Sequence, residues 1–319
     1  MRLALVFPGQ GSQYVGMGHT ITGTATDEVF RIADEALGGS LATLIADGPA
    51  AQLDLTENSQ PAILALSIAL YRAWTVAAGA AGLPAPVYYA GHSMGQYSAM
   101  VAAGVLDLAD GLRLVRARGR LMQGSSPDGA MAAIIGLDDA RIADLEAVGA
   151  AAGVFTVANR NSPGQIVVSG STAAVQAAAD AAKGLGAKRA IVLPVSVAAH
   201  SPLMAAAADG MRAELADVTF HDPVAPLMAN ADARPLTTGD ACRAELIEHL
   251  TRGVDWVRAV ETMRAGGVDT FIEVGPGKVL SNLIRRIAPD ARTLPADDPT
   301  SATGVADPAA LLDQPNVTE

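Results

Sequence analysis

Residues 87–106, VYYAGHSMGQYSAMVAAGVL, decide the fold. An apolar, β-prone run ends at Gly91, a Gly-x-Ser-x-Gly turn follows through Gly95, and the next stretch has neither charge nor proline to interrupt a helix. Strand, tight turn and helix in that order form a nucleophile elbow, with its serine on a strained strand-to-helix bend. Gly91 and Gly95 lack the side chains that would keep strand and helix apart. Ser93 then projects from the bend, facing the free N–H groups and the positive dipole end of the new helix, where negative charge on a bound carbonyl is stabilised. The spacing also arises by chance in a chain with 32 glycines, so the flanking strand and helix give the motif its weight.

The 319 residues suit one large domain, or a large one with a smaller insert. Half are hydrophobic and only 4% aromatic, so closely packed, alanine-rich helices are expected. The single cysteine, Cys242, excludes an intrachain disulfide, suits a reducing compartment and is read as a packing group. The N-terminal MRLALVFPGQ has too short an apolar run for a secretory signal, so a cytoplasmic protein is expected. No formal charge occurs between Ala73 and Leu106, but Gly79, Gly82, Pro84, Pro86 and Gly91 interrupt any membrane-spanning helix. A net charge of −11 argues against nonspecific nucleic-acid binding. An anionic substrate would need a local basic site.

Working outward, residues 2–7 read as a strand running into the loop Pro8-Gly9-Gln10-Gly11-Ser12-Gln13. Tyr14 and Met17 stand where dinucleotide and P-loop motifs need glycine and lysine, which leaves a loop beside the site or a plain turn. Residues 61–78 predict a helix capped by Asn58 or Ser59, with Pro61 in its first turn. Apolar on nearly every side, it belongs in the core with Tyr71 and Trp74 as packing groups. In the helix predicted over 108–123, Arg113, Arg116 and Arg120 share one face. Arg118 instead projects into the stripe of Leu114, Val115, Leu121 and Met122, where it needs a carboxylate from the protein or from a ligand.

Residues 128–195 predict strand 130–137, helix 139–151, strands 154–159 and 165–170, helix 172–185 and strand 189–195. This is the β-α-β-β-α-β order of a ferredoxin-like subdomain, inserted into a core formed by 1–127 and 196–294. After the insert, His200-Ser201-Pro202 precedes a helix over 203–215, and a polar stretch runs through Arg234 and Pro235. Helices over 246–250 and 256–264 and a strand over 270–274 follow, ending in Gly275-Pro276-Gly277. Residues 295–319 have little hydrophobic periodicity and read as a mobile tail.

A serine nucleophile needs a base, and the histidines are His19, His92, His200, His221 and His249. His92 adjoins the serine, a poor position for taking its neighbour's proton, and is read as lining the site. His200 lies where the insert returns to the core, at the start of a helix, and leads the candidates.

The motifs PGQGSQ, GHSMGQYSA, ARGRLMQ, GAMAAIIGLDD, NRNSPGQIVVSG, LPVSVAAHSPLM and EVGPGKVL, in that order, resemble malonyl-CoA:acyl-carrier-protein transacylases. They are similar also to acyltransferase domains of polyketide synthases, and the resemblance spans about residues 1–288. It implies an α/β fold: an α/β-hydrolase-like core with a parallel sheet and a ferredoxin-like insert. It further implies Ser93 as nucleophile, His200 as general base and then acid, and Arg118 as the bidentate partner of the malonyl carboxylate. Backbone N–H groups of Gln10 and Met94 would form the oxyanion hole. Asn161 would line the cleft, and a backbone carbonyl near His249 would orient His200 in place of a triad aspartate.

The reaction implied is malonyl transfer from malonyl-CoA to the phosphopantetheine thiol of an acyl carrier protein, through a serine ester. No cofactor or metal is implied, nor a nucleic-acid or membrane partner, and the chain is expected to be a monomer. Gln96 stands where the family usually has glutamate, and His249 where glutamine is commoner. Ala199 matches neither the phenylalanine of malonyl-selective polyketide domains nor the serine of methylmalonyl-selective ones, and Met94 is not the glutamine common in the latter. Malonyl therefore leads, with a branched extender such as methylmalonyl as the alternative. A serine hydrolase or thioesterase, with Asp222 or Asp240 serving the base, is the second reading, and a noncatalytic carrier-binding module the third. An acidic carrier would need a basic patch, drawn from Arg113, Arg116, Arg120, Lys183, Lys188 and Arg189.

Overall fold

The run LALVF, buried along its whole length, forms the middle of a sheet in which near-continuous apolar strands are covered on both faces. The computed structural model describes residues 1–125, 128–195, 197–298 and 306–312. Strands in the described residues are β1 (Leu3–Phe7), β2 (Tyr88–Gly91), β3 (Gly129–Ile135), β4 (Phe155–Ser162), β5 (Gln165–Ser171), β6 (Arg189–Val192), β7 (Leu227–Met228), β8 (Pro235–Leu236), β9 (Val254–Asp255), β10 (Thr270–Glu273) and β11 (Arg292–Pro295). The main sheet has the order β11-β10-β1-β2-β7-β8, parallel except for the β7–β8 pair. The protein is thus a mixed α/β structure. The loops leaving β1 and β2 lie side by side at the carboxyl ends of adjacent parallel strands, where open α/β sheets place their ligands.

The helix Thr56–Ala80 starts more than a turn earlier than expected and contains Pro61 in its interior. Leu55 supplies the reason: its carbonyl accepts the N–H groups of Asn58 and Ser59, both at 2.8 Å, and Gln123 Oε1 caps the Glu57 N–H at 3.1 Å. This helix is long and apolar enough to cross a membrane, and 61% of its most apolar window is buried inside the protein. At the end of β10, buried Glu273 turns its carboxylate onto the N–H groups of Leu280 and Ser281, at 2.8 and 2.7 Å, starting the helix Val279–Ile287.

The stretch 128–195 forms β3, helix Ile142–Ala152, β4, β5, helix Thr172–Ala182 and β6. Its strands pair antiparallel in the order β6-β3-β5-β4, with their own apolar cluster against the two helices. The sheet also takes in β9, a strand from outside the stretch, which pairs parallel with β4 through Asn159–Val254 and Arg160–Asp255.

Two other expectations change. The helix predicted over 246–250 runs from Gly239 to Arg252, because Thr238 Oγ1 caps the Ala241 N–H and Asp222 Oδ1 accepts from Gly239. Part of the stretch read as a mobile tail is packed. Residues 292–295 form the edge strand β11, the Ala306 N–H bonds to the Ala296 carbonyl at 3.0 Å, and Leu311 is buried in the main core. The remainder of that stretch, 299–305 and 313–319, lies outside the described residues.

Candidate active site

The chain leaves β2 at Gly91, turns through His92 and Ser93, and enters the helix Gly95–Ala102. A Cβ on Gly91 would lie 2.0 Å from the Gly95 carbonyl carbon, and one on Gly95 would lie 2.2 Å from the Phe7 carbonyl oxygen. Only glycines permit this crossing of strand, helix and the β1 loop. Ser93 itself sits at φ +53°, and His200 at φ +61°. Such backbone costs about 1–3 kcal/mol per residue and persists where the surroundings hold it.

The two strained residues meet. Ser93 Oγ lies 2.8 Å from His200 Nε2, and His200 Nδ1 lies 2.6 Å from the His249 carbonyl oxygen. Burial, then the nearby Arg118 charge, pushes the His200 pKa down to about 3, so the ring is a neutral base at ordinary pH. Neither carboxylate considered for a triad reaches it: Asp222 Oδ1 accepts the Gly239 N–H, and Asp240 is exposed on the first turn of its helix.

Arg118 completes the cluster. Its guanidinium is 1% exposed, with Nη2 donating to Ser93 Oγ at 3.0 Å and Nη1 to Gln60 Oε1 at 2.9 Å. His249 Nε2 lies 3.5 Å from Nη2, while Nε has no partner among the described residues. No carboxylate pairs with it among the described residues. Burial lowers its pKa to about 10, which still leaves it charged at neutral pH.

His92 Nε2 is 2.8 Å from Asn161 Oδ1 on β4, and the His92 ring packs on Trp256 with centroids 5.6 Å apart. Burial lowers the His92 pKa, and the Asn161 bond partly offsets this. The Gln10 and Met94 N–H groups, on the loop after β1 and at the helix start, make no hydrogen bond with other described residues. Cavities of about 460 Å³ beside Arg160 and Arg258 and about 430 Å³ beside Arg113 and Arg116 lie elsewhere and include none of the cluster. No group of three metal-ligating side chains occurs among the described residues.

Residues 4–302 match the acyl transferase domain family. Over 314 residues the chain is 46% identical to the malonyl CoA-acyl carrier protein transacylase of Escherichia coli (strain K12), with 97% of each chain covered. The chain belongs to the malonyl CoA-acyl carrier protein transacylase family. A crystal structure of an acyl carrier protein S-malonyltransferase from Vibrio cholerae superposes with a TM-score of 0.90 at 42% identity, covering 98% of this chain and all of that one. A malonyl-transacylase solved in complex with its type II PKS acyl-carrier protein gives 0.88 at 39% identity, with 95% and 97% covered.

Within this transacylase fold the unusual Gln96 bonds through both of its amide atoms. Oε1 accepts the Gly91 N–H at 3.1 Å and Nε2 donates to the Met228 carbonyl at 2.9 Å, a bond that an ionised glutamate cannot make. Three site residues escaped the sequence: Gln60, Asn230 and Glu245. Gln60 carries a weak signal, as a polar side chain opening the apolar run of the long helix. Asn230 and Glu245 carry none, because their roles depend on β7 and on a helix brought in from beyond it.

Proposed function

We propose that this chain transfers the malonyl group of malonyl-CoA to the phosphopantetheine thiol of an acyl carrier protein through a Ser93 ester. Arg118 carries the proposal: a buried guanidinium, without a carboxylate partner among the described residues, touches the nucleophile. Leaving such a charge unpaired is costly, and an acyl group ending in a carboxylate supplies the anion. Nε and Nη2 form one edge of the guanidinium, suited to a bidentate carboxylate. An acetyl group would leave that edge empty.

His200 Nε2 takes the hydroxyl proton as Ser93 Oγ attacks the thioester carbonyl. The C–S bond breaks, and coenzyme A leaves with the proton returned by His200. The carrier thiol then gives its proton to His200 and attacks the ester carbonyl; the C–O bond to Ser93 breaks, and His200 returns the proton to Ser93 Oγ. The Gln10 and Met94 N–H groups hold the oxyanion in both steps, each worth about 3 kcal/mol. The chemistry calls for no cofactor. One chain supplies every group, which fits a monomer, and acyl-CoA substrates with a lone buried cysteine fit the cytoplasm.

We read the main sheet with residues 1–127 and 196–294 as an α/β-hydrolase-like core, and 128–195 as a ferredoxin-like subdomain. The fourth-first-third-second strand order of β6-β3-β5-β4 supports the latter. For the carrier, the candidate arginines on helix Leu108–Ser125 are engaged: Arg113 with Asp110, Arg120 with Glu57, and Arg116 with the Leu37 carbonyl. Lys183, Lys188 and Arg189 are exposed and make no ion pair with other described residues, and the adjoining β6 edge exposes Ile191 and Val192. This basic, partly apolar edge is assigned to the acidic carrier.

Incubation with malonyl-CoA, followed by addition of carrier protein, tests the function by intact mass. Expected are a malonyl adduct lost in Ser93→Ala and its passage to the carrier. Rapid release of free malonate in place of malonyl-carrier would make the protein a hydrolase.

A further inference from the structure

Behind the elbow lies a carboxyl group that the transfer steps do not use. Glu245, on the helix Gly239–Arg252, is fully buried. Its Oε1 accepts the Asn230 N–H at 2.6 Å, and its Oε2 has no hydrogen-bond partner among the described residues. Asn230 in turn holds the nucleophile's turn at two points: Oδ1 accepts the Ser93 N–H at 2.8 Å and Nδ2 donates to the Gly91 carbonyl at 3.0 Å. Its own carbonyl accepts the Asp255 N–H at 2.7 Å. Asn230 therefore spans the strained turn as a brace whose foot is Glu245.

We propose that Glu245 is a positioning residue for acyl transfer: its carboxylate fixes Asn230, and Asn230 fixes the turn that carries Ser93. This rests on the reading of Ser93 as nucleophile. The brace is sensitive to protons, because a buried carboxylate with a single hydrogen bond is held up at a pKa of about 7. Burial is the main cause. The Asn230 N–H and Arg234, between β7 and β8, act against it; Asp232 on the same turn and Glu248 on the same helix reinforce it. Cys242, one turn earlier, is itself pushed up to about 12 and brings no charge at neutral pH. An ionised carboxylate is the stronger acceptor, so the hold on Asn230 is firm above neutrality and slackens below. His200 and His249, both depressed by burial, do not titrate there.

The test follows the rate of Ser93 acylation by malonyl-CoA, by quenched flow and intact mass, between about pH 5.5 and 8.5. The wild-type rate is expected to fall below neutrality with an apparent pKa near that of Glu245. Glu245→Gln, which accepts the same bond without titrating, is expected to be flat over the range and about three- to tenfold slower than wild type at its upper end. Asn230→Ala leaves Glu245 in place but cuts its link to the turn, so it too should be flat, and it serves if Glu245→Gln does not fold. A wild-type profile without the acidic limb, or a limb that persists in either folded variant, overturns the positioning role. A wild type that never acquires malonyl on Ser93 overturns the nucleophile assignment instead.

Discussion

His200 donates from Nδ1 to the main-chain carbonyl of His249 over 2.6 Å, and this bond fixes which nitrogen faces Ser93. A carbonyl only accepts, so the proton resides on Nδ1 and Nε2 is left as an acceptor facing the Ser93 hydroxyl. The partner is backbone, so the chemistry should tolerate a different side chain at that position.

His249→Gln should therefore keep kcat within about threefold of wild type in a carrier-malonylation assay, since the orienting carbonyl survives the change. A drop of a hundredfold or more would show that the reaction depends on the His249 imidazole and its 3.5 Å approach to Arg118.

Arg118→Ala should lower kcat/KM for malonyl-CoA by about a hundredfold or more, the scale of truncating one partner of a buried charge pair. Acetyl-CoA, which has no carboxylate to lose, should suffer far less. Comparing Ser93 adduct formation from the two thioesters checks this, and equal losses would remove Arg118 from substrate recognition.

Two buried groups should tilt the stability curve in opposite directions. His200 has a folded pKa of about 3 against an ordinary 6.5, so the unfolded chain binds more protons between these values and stability falls as pH drops through them. Glu245 is raised from 4.5 to about 7, so the folded chain binds more protons there and stability falls as pH rises. His249, also lowered, acts with His200. Urea midpoints measured across this range should show His200→Gln gaining on wild type toward acid and Glu245→Gln gaining toward alkaline pH.

Reversing charge at Lys188 and Arg189 should slow transfer to carrier protein about tenfold at low salt, the deficit shrinking as salt screens the interaction. Acylation of Ser93 by malonyl-CoA should be unchanged. Equal slowing of both half-reactions would exclude the β6 edge as the docking face.

The elbow was readable because glycine spacing and a change from strand to helix character are local properties. Arg118 was readable for a similar reason: helical geometry alone sends it into an apolar stripe. Sequence left its partner open, and the fold leaves Gln60 and Ser93 beside it, with no acid among the described residues. Asn230 was hidden in a polar stretch whose strands, Leu227–Met228 and Pro235–Leu236, are too short for any periodicity. The early start of the helix at Thr56 depends on Gln123, far along the chain, as its cap. The packed part of the C-terminal stretch was missed because a few alanines and Leu311 suffice to anchor it on a core that sequence does not display.

The pairing of β9 with β4 has a practical consequence. Two backbone registers join β4 to the segment that also presents Trp256 to His92. An engineer exchanging 128–195 for the matching stretch of another acyltransferase would cut that pairing unless residues 253–256 travelled with it. Chimeras carrying both pieces should keep the β4–β9 pairing and the His92–Trp256 contact beside it, whereas grafts of 128–195 alone should lose them.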